Sequence, residues 1–390
     1  MKKHLVIATD NFVPRWDGIS RFLLESIPEL KRDFKVTVLA PDFGSLNNFK
    51  KELKGVRIIR FRVSKKVYGD YRLPKPNLFT IMRVVKKADI VWTQGLGPIS
   101  SFTMLFARFF GVKRVSYVHS LEWELVVESM NFKGFMRFLA NIIIKTLILL
   151  VYNSSMLLMV PSFEVAHLLE GVGVKTDKVI VHMGINTKYF RPPRSKVSAK
   201  KRIGIDPEKF VIGFSGRIAR EKDPITLLRA FIMLSKTRGF SKGSSKKVFL
   251  LVVGSGVREL ENRFKSRRGV KLVGSVDHVV PYLQAMDVFV LPSLTETSSL
   301  ATMEAMSCGV IPVVTPVGCL KNYIKEGFNG FFFEKKDYVM LVNKLKSLFF
   351  MKKNNPAEYK RIALNARRTI IKYYNINRTI NEVKRVLNYL

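Results

Sequence analysis

Cysteine is nearly absent from this 390-residue chain: only Cys308 and Cys319 are present, too few for a disulfide framework or a clustered thiolate metal site. The five histidines, at positions 4, 119, 167, 182 and 278, are scattered and show no metal-ligand spacing. Acidic residues are scarce as well. Thirty Asp and Glu stand against 67 Lys and Arg, a formal net charge of +37, which predicts attraction to something anionic without naming the anion. No zinc-finger, glycine-clamp RNA-binding or basic-zipper pattern accompanies that charge. Nucleic acid is therefore the least favoured anion and an anionic membrane surface the most favoured, with general solubility left open.

Two further absences are expected. The opening MKKHLVIATDNF has no small-residue cleavage pattern and its apolar part is only a strand long, so it reads as a first buried strand and not as an export signal. With so few cysteines, this predicts a reducing, cytoplasmic setting. In KGFMRFLANIIIKTLILLVY, residues 133–152, Lys145 interrupts the apolar run, which is expected to leave it too short to span a bilayer. No repeat of 20–50 residues stands out.

What is present is a double series of apolar strands alternating with helix-like stretches. HLVIAT (4–9), KVTVLAP (35–41), GVRIIRF (55–61), DIVWTQG (89–95) and RVSYVHS (114–120) form the first series, with helices at 20–31, 99–110 and after 132. FVIGFSG (210–216), VFLLVVG (248–254), VKLVG (270–274), DVFVLPS (287–293) and VIPVVT (310–315) form the second. Near-continuous apolar strands followed by helices predict mostly parallel sheets covered on both faces. The expected division is a Rossmann-like domain over 1–192, a second over 193–375 and a terminal helix over 376–390 that packs back on the first.

Open α/β sheets bind ligands beyond the carboxyl ends of their strands, so the segments after each run carry the candidates. In DNFVPRWDGIS, Gly18 can accept a close backbone approach before a helix start that would face a phosphate or sugar; an ordinary βα turn is the alternative. His119 follows an apolar strand and either hydrogen-bonds or shares charge with a substrate, or caps the strand end. Glu122 and Glu124 lie nearby without making an acid/base pair. After Gly216, Arg217 and Lys222 flank a loop before the helix near 224–234, where two cations would neutralise a diphosphate leaving group, unless they are an exposed charge run. Gly254 and Gly256 form a second close-approach turn without the third glycine of GxGxxG. In PSLTETSSLATMEAMSCG, a helix starting near Ser298 or Ser299 would turn Glu296 and Glu304 to one cleft and offer backbone N–H groups to phosphate.

Together PSLTETSSLATMEAMSCG, GRIAREKDP, VVGSG and HMGINTKYFRP resemble the retaining, nucleotide-sugar-dependent glycosyltransferases of the GT-B architecture, family 4-like, closest in character to those acting on phosphatidylinositol or diacylglycerol. The resemblance implies two Rossmann-like domains facing each other across a cleft. It assigns Glu296 to the donor sugar, Glu304 to the ribose, and Arg217 and Lys222 to the diphosphate. Gly216, Gly254, Thr297, Ser298, Ser299 and Leu300 would line the donor, His119 would approach the hexose, and Gly18 would lie near phosphate and acceptor. A UDP- or GDP-hexose is implied as donor substrate, with no cofactor and no bound metal; Asp-x-Asp is indeed missing from the sequence. The chain departs from the pattern in Thr297, Ser298 and Ser299, where glycine is commoner, and in Asn186, where Asp is commoner.

The polar stripe Lys133, Arg137, Asn141 and Lys145 on an otherwise apolar helix suits an interfacial helix with basic anchors, and a helix buried against the sheet is the alternative. The net charge and KKVYGDYRLPKPN upstream agree with the membrane reading, and the resemblance implies a lipid or membrane-associated acceptor, with a soluble transferase acting on a polysaccharide or small-molecule acceptor as the alternative.

Overall fold

A computed structural model describes residues 2–66, 72–121, 134–237, 240 and 247–390. It divides the chain into two compact units, one formed by Met1–Met183 with Ile376–Leu390, the other by Gly184–Asn375.

The first unit is built on a seven-stranded parallel sheet: β1 (His4–Thr9), β2 (Lys35–Pro41), β3 (Arg57–Phe61), β4 (Ile90–Gln94), β5 (Lys113–Tyr117), β6 (Leu157–Val160) and β7 (Lys178–Ile180). They lie in the order β3-β2-β1-β4-β5-β6-β7. Register is set by burial on both faces: Leu5 of β1 faces Val36 of β2 and Ile90 of β4. The layer between the sheet and the helices Leu78–Val85 and Pro98–Phe109 is a buried apolar cluster that includes Val6, Leu39, Ile81, Val91 and Ile99. The helix Ile376–Tyr389 completes this unit by packing on the helix Gly18–Leu30. It buries Ile376, Ile380, Val383, Val386 and Leu387 along one stripe, while Thr379 Oγ1 donates to His182 O at 2.7 Å and Lys384 pairs with Asp33 at 2.8 Å.

The second unit carries β8 (Phe210–Ser215), β9 (Val248–Val253), β10 (Val270–Leu272), β11 (Val288–Leu291), β12 (Ile311–Val314) and β13 (Phe331–Phe332). The order is β10-β9-β8-β11-β12-β13, again all parallel. In both units the chain builds outwards to one edge and then returns to the other side of its opening strand. The order therefore reverses between β1 and β4 in the first unit and between β8 and β11 in the second, and such reversal points open a crevice at the carboxyl ends of the strands. Three strands, β6, β7 and β13, extend the sheets beyond the runs legible in the sequence. The first is only four residues long and is separated from an apolar helix by just Asn153–Met156, and the last is only two residues long.

Candidate functional site

At the second unit's reversal point, the segment after β8 meets the segment after β11. The Leu294 N–H donates to Glu221 O at 2.8 Å, which ties the two loops together. Lys222 Nζ then reaches Glu296 Oε1 at 2.6 Å, and Ser293 Oγ donates to the same oxygen at 2.8 Å. The Glu296 side chain is only 7 % exposed and Lys222 22 %, so the carboxylate is buried with a partner. That is the condition under which a buried charge is tolerated. Among the described residues no hydrogen bond engages Glu296 Oε2. Arg217, half-exposed, pairs with Glu221, whose carboxylate is 1 % exposed. Glu221 was not singled out in the sequence, although its position four residues after Arg217 was a usable signal.

The loop from Ser293 to Ser299 is held by its carbonyls. Thr315 Oγ1 donates to Ser293 O at 2.6 Å, Cys319 N–H to Thr297 O at 2.8 Å, and the buried Tyr323 hydroxyl to Ser298 O at 3.1 Å and Ser299 O at 3.4 Å. Gly318 is needed for this: at φ +51° its missing Cβ would stand 1.9 Å from Glu296 O. Burial raises the Tyr323 hydroxyl well above the usual tyrosine range, which keeps it a donor. With the carbonyls so occupied, Ser299 adopts a left-handed conformation (φ 51°, ψ 70°) and opens the helix Leu300–Ser307 without a side-chain cap. Ser299 Oγ is shared instead with Thr302 Oγ1 at 2.8 Å. An uncapped helix start presents backbone N–H groups and the positive end of the helix dipole, a combination suited to phosphate. Leu300 and the buried Glu304 lie four residues apart on one face of that helix.

Gly216 and Gly254 shape the floor of the same crevice. Both have positive φ, +144° and +126°, and a Cβ on Gly254 would lie 2.0 Å from Gly216 O. The two backbones therefore touch past the ends of β8 and β9, where Gly216 N–H donates to Val253 O at 3.0 Å. The structure thus brings Gly216, Arg217, Lys222, Gly254, Glu296, Thr297, Ser298 and Ser299, in the segments after the strands, and Leu300 and Glu304, on the helix Leu300–Ser307, to the carboxyl edge of one sheet.

The other two candidates belong to the first unit. Gly18 opens the helix Gly18–Leu30, and its φ is not in the left-handed region that would have required glycine. Asp17 caps that helix by accepting the Ser20 N–H at 2.8 Å. His119 follows β5, with Nε2 2.7 Å from Gln94 Oε1 and its ring stacked on Tyr117 at 4.5 Å and edge-on to Phe22. Desolvation in this aromatic setting lowers its pKa to about 3, so at neutral pH the ring is uncharged. Charge sharing is thereby disfavoured and hydrogen bonding retained. Glu122, Glu124 and Lys133 lie outside the described residues, as does the Arg137 side chain.

The first unit's own reversal point is filled from within. Asp10, directly after β1 and 4 % exposed, accepts the Ile99 N–H through Oδ1 at 2.8 Å and the Ser100 N–H through Oδ2 at 3.0 Å. These are the first free amides of the helix Pro98–Phe109. Burial raises the Asp10 pKa and the bonds from Ser100 and Ile99 oppose that rise. Gly97 leaves the room, since a Cβ there would fall 2.1 Å from the Asp10 carboxyl carbon.

The helix Gly134–Tyr152 has 19 residues, about 28 Å, and is long and apolar enough to cross a membrane. This corrects the expectation that Lys145 leaves it too short: a single lysine in that window does not end the helix. Burial against the sheet is also limited. Ile148, Val151 and Tyr152 are fully buried at the C-terminal end, whereas Phe135, Met136, Phe138, Ile142, Ile143 and Leu150 are exposed. Asn186 accepts the N–H groups of Lys188 and Tyr189 at 3.1 and 3.0 Å, a turn role that asparagine fills as aspartate would.

Comparison with known proteins follows this division. Residues 16–189 match the model of Glycosyltransferase Family 4, and residues 195–369 match that of Glycosyl transferases group 1. The crystal structure of Anabaena Alr3699/HepE in complex with UDP and glucose superposes with a TM-score of 0.76 at 15 % identity, covering 100 % of both chains. The fold is that of the GT-B glycosyltransferases. With the two family models together matching most of its length, the chain belongs to the glycosyltransferase family 4-like proteins.

Among curated relatives, the lipopolysaccharide core biosynthesis mannosyltransferase LpsB of Rhizobium meliloti (strain 1021) is 32 % identical over 154 residues, 39 % of this chain and 44 % of LpsB. The UDP-Gal:alpha-D-GlcNAc-diphosphoundecaprenol alpha-1,3-galactosyltransferase of Escherichia coli is 27 % identical over 212 residues, 53 % of this chain and 52 % of that enzyme. The chain thus spans about half the length of these relatives.

Proposed function

We propose that the protein transfers a hexose from a nucleoside-diphosphate sugar to a hydroxyl of a lipid or membrane-associated acceptor, with retention of configuration. The observation that carries this reading is the second unit's reversal point, where two cations, an uncapped helix start and two buried carboxylates converge. Arg217, Lys222 and the amides following Ser298 stabilise the diphosphate as it leaves. Glu304 takes the ribose hydroxyls, and Glu296 holds Lys222 through Oε1 while offering Oε2 to the sugar.

In this reading the C1–O bond to the diphosphate breaks with its electron pair passing to the leaving group. The acceptor oxygen bonds to C1 on the same face, and the acceptor proton passes to a phosphate oxygen. Rate comes from placement and charge stabilisation, with no protein nucleophile and no bound metal in the scheme. His119, uncharged, serves by hydrogen bonding to a sugar hydroxyl and not as a proton carrier.

A UDP-sugar is supported as donor by the UDP-bound neighbour, and a lipid-linked acceptor by the name of the Escherichia coli relative. The exposed apolar helix Gly134–Tyr152 and the net charge of +37 support a peripheral place on an anionic membrane, at its cytoplasmic face. Its docked C-terminal turns argue against insertion across the bilayer, which would strip Ile148, Val151 and Tyr152 from their packing. Incubation with a panel of UDP- and GDP-hexoses and lipid extracts is expected to release free nucleotide and give a glycolipid with the donor's anomeric configuration. Absence of both turnover and donor binding across the panel would overturn the reading.

A further inference from the structure

Arg217 is backed by a carboxylate that the transfer scheme leaves unused. Glu221 stands on the single turn Arg220–Lys222, and its side chain is 1 % exposed where that of Arg217 is 32 %. Glu221 is therefore enclosed, and Arg217 is the partner that meets solvent. The backbone around the pair is pinned. Ile218 N–H donates to Ser255 O at 3.0 Å and Val257 N–H to Ile218 O at 2.7 Å, while Leu294 N–H holds Glu221 O at 2.8 Å. Across this loop Arg217 Nη2 donates to Glu221 Oε1. Among the described residues no other side chain hydrogen-bonds or ion-pairs Glu221, and its Oε2 is buried without a hydrogen-bond partner.

A carboxylate buried in this way is tolerated with its cation in place, and withdrawal of the cation would strand it. The constraint acts in both directions. Arg217 is held at its inner edge, and the planar guanidinium fork has N–H donors enough to bond Glu221 and phosphate oxygens together. Ordering a rotamer-rich side chain before a ligand arrives removes part of the cost of binding. We infer that Glu221 is a positioning residue: its buried carboxylate holds the Arg217 guanidinium oriented for a diphosphate. That the diphosphate belongs to a departing nucleotide rests on the transferase reading above, whereas the hold on Arg217 does not. Charge alone predicts the opposite sign, because a carboxylate behind a cation repels an approaching anion and its removal would tighten binding.

The test uses the full chain, titrated with inorganic pyrophosphate and, separately, with UDP. Glu221→Ala should weaken both by about tenfold, and Glu221→Gln, which keeps an acceptor oxygen and loses the charge, by about threefold. In an Arg217→Ala background neither substitution should weaken binding further, because the side chain that Glu221 orients is gone. Glu259→Gln, which removes an exposed carboxylate 3.7 Å from Arg220, should leave binding unchanged. Unchanged or tighter binding in Glu221→Gln, or an equal loss in Glu259→Gln, overturns the positioning role. So does an equal loss from the Glu221 substitutions with and without Arg217, which would make Glu221 purely structural. Where Glu221→Ala does not fold, Glu221→Gln in the two backgrounds carries the same comparison. Wild-type protein that binds pyrophosphate and not UDP counts against the transferase reading alone; failure to bind either counts against both.

Discussion

The two sheets run in the same order and reverse at the same place, between the first and fourth strands of each unit, yet the two crevices have opposite contents. In the first unit the helix start at Pro98 is occupied by the chain's own anion, the Asp10 carboxylate, which takes the amides of Ile99 and Ser100. In the second, the helix start at Leu300 has no side-chain cap, and the carboxylate preceding it, Glu296, is turned to Lys222 and Ser293 instead. The same topology thus yields one crevice sealed by an internal charge and one that presents amides and cations. The difference lies in where one acidic side chain stands relative to one helix end.

The comparison is broken most severely by removing Lys222, one of the second crevice's two cations. Lys222→Ala should lower kcat/KM for the donor by about a hundredfold, measured beside a circular dichroism spectrum that stays unchanged. Wild-type activity in Lys222→Ala would end the claim that this crevice is the working one. The first crevice is tested by Asp10→Asn, which keeps the shape and removes the charge. Loss of a charge-assisted bond costs about 2 kcal/mol, so exchange of the Ile99 and Ser100 amides should quicken by about thirtyfold, with little change in donor binding.

Smaller effects sharpen the contrast. Tyr323→Phe frees the carbonyls of Ser298 and Ser299 and should raise the donor KM by about fivefold, for a loss of about 1 kcal/mol, while leaving kcat near its starting value. A fall in kcat with KM untouched would contradict a purely positioning role. The smallest effect is one of pH. The His119 pKa is lowered in the folded protein to about 3 from an ordinary 6.5, so the unfolded chain binds the extra proton first. The stability this contributes is fully present above pH 6.5 and is lost as pH falls towards 3. With the ring only half-buried, the loss between pH 7 and pH 5 should be about 1 kcal/mol. His119→Asn should flatten the unfolding profile across that interval, and an unaltered profile would mean that His119 is not the desolvated group described.

The runs from His4 to Thr9 and from Phe210 to Ser215 were legible because strands buried on both faces must be apolar throughout, and that signal survives without any neighbour in view. Lys222 and Glu296 were legible as types at strand ends, although nothing in the sequence states that residues 74 apart share a 2.6 Å bond. Asp10 was within a segment marked for attention, but its meaning depends on amides 89 and 90 residues further on. Tyr323 carried no local signal at all: it works through a hydroxyl donated to backbone oxygens more than twenty positions away. Periodicity reports what is buried, and long-range polar pairing is invisible to it.

The helix Ile376–Tyr389 belongs to the first unit although the whole of the second unit lies between them in the chain. During synthesis, domains generally fold in the order in which they emerge. Here the earlier unit is released with an apolar seat on the helix Gly18–Leu30 still vacant, and it waits for the ribosome to finish the later one. This helix, made after the second unit, is therefore the closing piece of the earlier one, and a chain stalled or cut within the second unit would leave that seat open to chaperones and proteases.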